Sequence, residues 1–116
     1  MIRVAASTED LTAIRRIAED AYSPYVARLG RKPAPMVADF EKHLVDDWVV
    51  VFARDHVLGY AVVRTLGEVP QQVMLLDNIA VAIDAQRQGI GNALIEHVEQ
   101  HVLAAGMKAT SSTPTS

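Results

Sequence analysis

Asp77-Asn78-Ile79-Ala80-Val81-Ala82-Ile83-Asp84-Ala85-Gln86-Arg87-Gln88-Gly89-Ile90-Gly91-Asn92-Ala93-Leu94 joins an apolar strand, a short polar loop and the start of an amphipathic helix in one run. Gly89 and Gly91 carry no side chain, so their backbone N–H groups can approach a ligand closely. The helix that opens there leaves its first N–H groups unpaired and carries partial positive charge at its N-terminus. Such a turn cradles an anion, and a phosphate or pyrophosphate is the natural guest. The stretch therefore predicts a phosphate-bearing ligand.

Other phosphate loops do not fit. The dinucleotide fingerprint needs three glycines spaced G-x-G-x-x-G, and the Walker loop needs G-x-x-x-x-G-K-[ST]. Neither occurs in this chain. What occurs is Gln-x-x-Gly-x-Gly, from Gln86 to Gly91, after the strand ending Ile79-Ala80-Val81 and before Ala93-Leu94-Ile95. This resembles the acyl-CoA-binding signature of the GNAT superfamily of N-acetyltransferases. The resemblance implies acetyl-CoA, or coenzyme A, as the cofactor.

The rest of the chain reads outward from that loop. Ile2 to Val4 is a short strand. Ser7-Thr8-Glu9-Asp10 looks like a helix cap with acids in the first turn. Leu11, Ile14, Ile17, Ala18 and Ala21 share one helical face. Tyr22 to Pro35 holds three prolines, a glycine and mixed charges, and predicts a loop. Pro35 suits the first turn of a second helix, with Val37, Phe40 and Leu44 as its apolar stripe. Trp48 to Ala53 and Val57 to Leu66 read as a hairpin of two strands around Arg54-Asp55-His56. Gly67 to Gln71 is a turn. Gln72 to Val81 is a further strand, apolar on both faces as a central strand would be. Ile90, Leu94, Val98 and Val102 mark the next helix face, with Gly106 as a stop.

The order β-α-α-β-β-β-α is similar to the first two-thirds of the GNAT fold. That fold is α/β (α+β), with a mixed, mostly antiparallel central sheet flanked by helices. The resemblance spans residues 1 to 108, which form one acetyltransferase-like domain; residues 109 to 116 read as a polar tail. The family continues with a fifth strand, a fourth helix bearing a tyrosine that protonates the departing thiolate, and a closing hairpin. Here Lys108 to Ser116 is small and polar, with Pro114 confining any strand to an edge, so the fifth strand is short or missing.

Composition narrows the function. At 116 residues the chain is one domain, near the size at which a single core suffices. A net charge of -3 and a pI near 5.7 argue against nucleic acid as a partner. With no cysteine, thiolate metal sites and cysteine nucleophiles are excluded. Trp48 to Ala53, the longest strongly apolar run, is too short to span a membrane, and no signal-peptide pattern opens the chain. A cytoplasmic protein is expected.

The resemblance also assigns candidate site residues. The pantetheine arm would lie along Ile79, Ala80 and Val81 as an added strand. A bulge in that strand would free the N–H of Ile79 for the thioester carbonyl. Gln86, Arg87, Gln88, Gly89, Ile90, Gly91 and Asn92 match the pyrophosphate loop. Tyr22, Tyr25 and Arg28, with Arg31 and Lys32, would shape the acceptor pocket, and their charge points to an acceptor bearing a carboxylate. Asp77, a carboxylate within an apolar strand, needs a partner or a job; alternation puts it on the face of Ile79, which makes it the candidate base, with Glu68 a weaker one. Asn78 falls on the opposite face as a structural residue.

His97 and His101 have a chelating spacing on a helix, but no third ligand accompanies them, so a solvated polar face is expected there and no metal. Two functions follow from the resemblance. One is acetyl transfer from acetyl-CoA to a primary amine, on a small molecule or a protein, by direct attack in a ternary complex. The other is a coenzyme A-binding remnant or interaction module without turnover. A sheet edge left by a missing strand would favour a homodimer.

Overall fold

The computed structural model describes residues 1–30, 39–67, 73–104 and 108–111. Strand β1 (Ile2–Val4) leads into helix α1 (Thr8–Leu29), and α2 (Phe40–Asp46) precedes strands β2 (Trp48–Ala53), β3 (Val57–Leu66) and β4 (Val73–Val81). A 3-10 turn (Ile83–Ala85) then leads to helix α3 (Ile90–Ala104) and strand β5 (Lys108–Ser111). The five strands form one sheet in chain order. All neighbours are antiparallel except β4 and β5, which run parallel. The sheet is thus mixed and mostly antiparallel, and β5 is the short fifth strand. It crosses the boundary drawn after residue 108.

Strand alternation divides the core in two. Val49, Val51, Tyr60, Val62 and Ala80 face α1 and α2, where they meet Ile14, Ile17, Ala18 and Phe40. Val50, Ala61, Val63 and Leu76 face the other way, onto Ile90, Leu94, Val98 and Val102 of α3. Every residue of β3 from Val57 to Val63 is buried, because helices cover both of its faces. Gly59 is required there. A β-carbon at that position would stand 3.2 Å from the Ala80 carbonyl oxygen, 3.2 Å from Ile90 Cγ2 and 3.3 Å from Leu94 Cδ1. The missing side chain lets α3 press against β3 and β4.

The N-terminal cap of α1 is as expected: the Ser7 hydroxyl accepts from the Asp10 N–H at 3.1 Å. The Asp10 carboxylate in turn accepts from both Arg3 terminal nitrogens, at 2.7 and 2.8 Å, and from the Ala6 N–H at 3.0 Å. This clamp ties β1 to α1. The Arg3 hydrogen bonds hold the Asp10 carboxyl well below the usual carboxylate range, despite the opposing cost of burial.

The loop expected from Tyr22 to Pro35 is corrected at its start. α1 continues through Tyr22, Pro24 and Arg28, and ends at Gly30, whose left-handed φ of 68° lets its N–H return to the Val26 carbonyl. A proline normally breaks a helix because it leaves the carbonyl four residues back without its donor. Here the Ser23 hydroxyl donates to that carbonyl, on Asp20, at 3.1 Å. Residues 31–38 lie outside the described residues, including Arg31, Lys32, Pro35 and Val37. α2 starts on Asp39, whose side chain accepts from the Lys42 N–H, and buries Phe40.

His97 and His101 are both exposed, as expected of a solvated polar face, and they also stack on an aromatic ring. Both lie nearly parallel to the Trp48 ring, at centroid distances of 5.9 and 4.0 Å. No cluster of metal-ligating side chains occurs among the described residues. Nor is any described helix long and apolar enough to cross a membrane.

Candidate functional site

β4 carries a bulge at the centre of the site. Val62 of β3 pairs with Asn78, but the next residue, Val63, pairs with Leu76, so Asp77 is the extra residue. A bulge breaks the two-residue alternation of a strand. Leu76 and Ile79 consequently pack on the α3 side, while Asn78 and Ala80 face α1. The parity that placed Asp77 with Ile79 therefore does not carry through the bulge.

The bulge coincides with the end of the β4–β5 pairing. β5 accompanies β4 only from Val73 to Leu76. From Asp77 to Val81 the outer edge of β4 has no strand partner among the described residues. Ala82 donates to Leu58 of β3 at 2.7 Å, and the Ala80 carbonyl lies beside Gly59. Ile79 and Val81 alternate with these and turn their carbonyls outward. Tyr22 donates its hydroxyl to the Ile79 carbonyl at 2.9 Å, and Gln86 Nε2 donates to that of Val81 at 3.3 Å. In a strand a residue's N–H and C=O share a side, so the Ile79 N–H is also directed outward. Ala80 is corrected accordingly: it lines the site, but its backbone is directed at β3.

The loop that follows leads into α3. Arg87 has φ of 68° and Gly89 φ of 78°, two left-handed residues around Gln88. A residue other than glycine in that region is uncommon and marks local strain. A β-carbon on Gly89 would meet nothing within 4 Å, so it would project into open space. The first backbone bond of α3 runs from the Ala93 N–H to the Gly89 carbonyl at 3.0 Å. The N–H groups of Ile90, Gly91 and Asn92 precede it and have no partner within the helix.

These parts enclose one cleft of about 670 Å³. Tyr22 and Arg28 line it from α1. Ile79, Ala80 and Val81 line it from β4, and Gln86, Arg87, Gly89, Ile90, Gly91 and Asn92 from the loop and α3. Ala21, Pro24, Leu76, Ala85 and Ile95, which sequence reading did not assign to a site, complete the wall. Among the described residues no carboxylate lines the cleft, whereas Arg28 and Arg87 do. Its two described arginines suit a phosphorylated ligand although the chain is acidic.

Two expected residues fall elsewhere. Asp77 does not line the cleft. Gln88 is also outside it and accepts from Arg54 of the β2–β3 turn at 3.0 Å, so it braces the loop from behind. Tyr25 lies in α1, but its side chain, like Glu68, is outside the described residues. Beneath the cleft, the Tyr60 hydroxyl donates to the Asn78 side-chain oxygen at 2.8 Å. Burial, reinforced by nearby Tyr22, pushes the Tyr60 hydroxyl far above the ordinary phenol range, so it stays a donor.

The sequence profile of the acetyltransferase (GNAT) family matches residues 11–114. The chain belongs to the GNAT family of acetyltransferases. Solved structures share its fold. A tetramutant of a Bacillus halodurans protein superposes with a TM-score of 0.80 at 15% identity, over 99% of this chain and 83% of that one. An acetyltransferase from Vibrio fischeri gives 0.73 at 18% identity, over 96% and 93%. An aminoglycoside acetyltransferase from an uncultured soil metagenomic sample, in complex with sisomicin, gives 0.66 at 19% identity, over 99% and 78%. No curated protein matches this GNAT chain. Acyl transfer is the general activity that the family supports.

Proposed function

We propose that this GNAT protein transfers an acetyl group from acetyl-CoA to a primary amine, by direct attack in a ternary complex in the cytoplasm. The observation that carries the reading is the pairing of an open β4 edge with a glycine loop at the start of α3, in one cleft. Coenzyme A is long, with phosphates at one end and an extended amide-bearing arm at the other, and each end finds its complement here. The N–H groups at Gly89, Ile90 and Gly91, with Arg87, would hold the diphosphate. The outward edge at Ile79 and Val81 would hold the arm by strand addition.

When bound, acetyl-CoA supplies the activated acetyl group. The Ile79 N–H is the donor available for an acyl oxygen, a kind of contact worth ~3 kcal/mol in acyl transfer. Tyr22, Pro24 and Arg28 would form the acceptor side, where Arg28 favours an amine that also carries a carboxylate. Thiol release from acetyl-CoA over a panel of amines (lysine, ethanolamine, spermidine, sisomicin) tests the reading. Amine-dependent release supports it.

A second reading is coenzyme A binding without turnover. It is favoured by the position of Asp77, the candidate base, which does not line the cleft. Binding with no release over the whole panel would select it. We also propose association with a second copy through a sheet edge. Light scattering across concentrations tests this, and a clean monomer refutes it.

A further inference from the structure

Two side chains stand where a neighbouring strand would stand. The outward carbonyls of Ile79 and Val81 are each met by one side-chain donor, Tyr22 at 2.9 Å and Gln86 at 3.3 Å. The donors come from separate elements, α1 and the loop before α3, and both line the cleft. Carbonyls two residues apart on a strand are spaced ~7 Å, the repeat that a paired strand uses. An open edge recruits any extended chain that can pair with it, so proteins cover such edges. Here the cover is made of side chains and can be withdrawn.

We propose that Tyr22 and Gln86 determine which ligands enter along β4. They hold the Ile79 and Val81 carbonyls until an extended ligand carrying its own amide N–H groups takes those carbonyls over. The inference rests on the coenzyme A reading above and deepens it. The selected class is an extended linear molecule that carries amide N–H groups, which the arm of coenzyme A provides. A nucleotide without the arm, such as adenosine 3′,5′-bisphosphate, leaves both bonds in place. The Gln86 contact is longer and exposed, so it yields first; Tyr22, shorter and partly buried, discriminates more strongly.

Each internal bond stabilises the ligand-free cleft modestly relative to water, and an arm that breaks it binds that much more weakly. Tyr22→Phe and Gln86→Leu should therefore each tighten coenzyme A by about 2- to 10-fold. Adenosine 3′,5′-bisphosphate should bind Tyr22→Phe as it binds the unchanged protein. Calorimetry with both ligands measures this. In the unchanged protein, coenzyme A should also shift the Tyr22 ring signals in NMR, assigned by their loss in Tyr22→Phe, and the bisphosphate should not. Weaker or unchanged coenzyme A binding in the variants, equal changes for both ligands in Tyr22→Phe, or Tyr22 signals that coenzyme A does not move would each overturn the inference alone. Failure of both ligands to bind the folded, unchanged protein would instead withdraw the coenzyme A reading, and this inference with it.

Discussion

Tyr60 on β3 donates its hydroxyl to the side chain of Asn78 on β4 at 2.8 Å, with both residues at most 1% exposed. Asn78 immediately follows the bulge residue and precedes Ile79, so this buried bond pins β4 where it separates from β5. Replacing Asn78 with alanine leaves the Tyr60 hydroxyl buried without that acceptor and should cost ~1–3 kcal/mol of stability. Coenzyme A binding should weaken too, because the Ile79 edge loses its fixed register. Urea unfolding and calorimetry on the variant check both effects.

The glycine loop makes a second prediction, with two opposite substitutions. Gly89→Val places a side chain into open cleft space at a left-handed φ of 78°. Stability should fall by ~1–2 kcal/mol from backbone strain, while coenzyme A affinity should fall by more than about tenfold (~1.4 kcal/mol). Arg87→Gly relieves the strain at φ of 68° and should raise stability by ~0.5–1 kcal/mol. It should still weaken binding if the guanidinium meets a phosphate. Melting temperatures and titrations of the pair separate the backbone contribution from the charge.

The Arg3–Asp10 clamp sets the acid limit of the fold. The folded Asp10 carboxyl titrates below its unfolded value of about 3.9. Its stabilisation is therefore present in full above that value and is lost as pH falls below it. Asp10→Asn should destabilise the chain at pH 7 by ~1–2 kcal/mol, because Arg3 is 41% exposed and can turn to solvent. The difference between variant and unchanged protein should shrink as pH falls from about 4. Unfolding curves from pH 7 to pH 2 measure it; a constant difference would show that the clamp is not the titrating unit.

Much of this architecture is legible in the sequence, and what is hidden has physical causes. Ile90, Leu94, Val98 and Val102 recur at helical spacing and are the buried face of α3. The β-branched runs from Trp48 and Val57 are strands with those starts and ends. The loop–helix turn follows from two glycines and their spacing. Pro24, by contrast, advertises a break, and only the Ser23 hydroxyl on the Asp20 carbonyl shows why the helix survives. The resemblance implies a bulge in this strand, but its position at Asp77 is not marked in the sequence, because Leu76 and Ile79 are apolar in either register. The Tyr22–Ile79 bond joins residues 57 positions apart, and no local pattern encodes it.

The central claim is that the open β4 edge and the glycine loop form one binding site for acetyl-CoA. Isothermal titration of the purified chain with acetyl-CoA tests it most directly. Micromolar binding, lost in Gly89→Val, is the predicted result. A chain that is folded by circular dichroism and yet takes up no acetyl-CoA would contradict the claim.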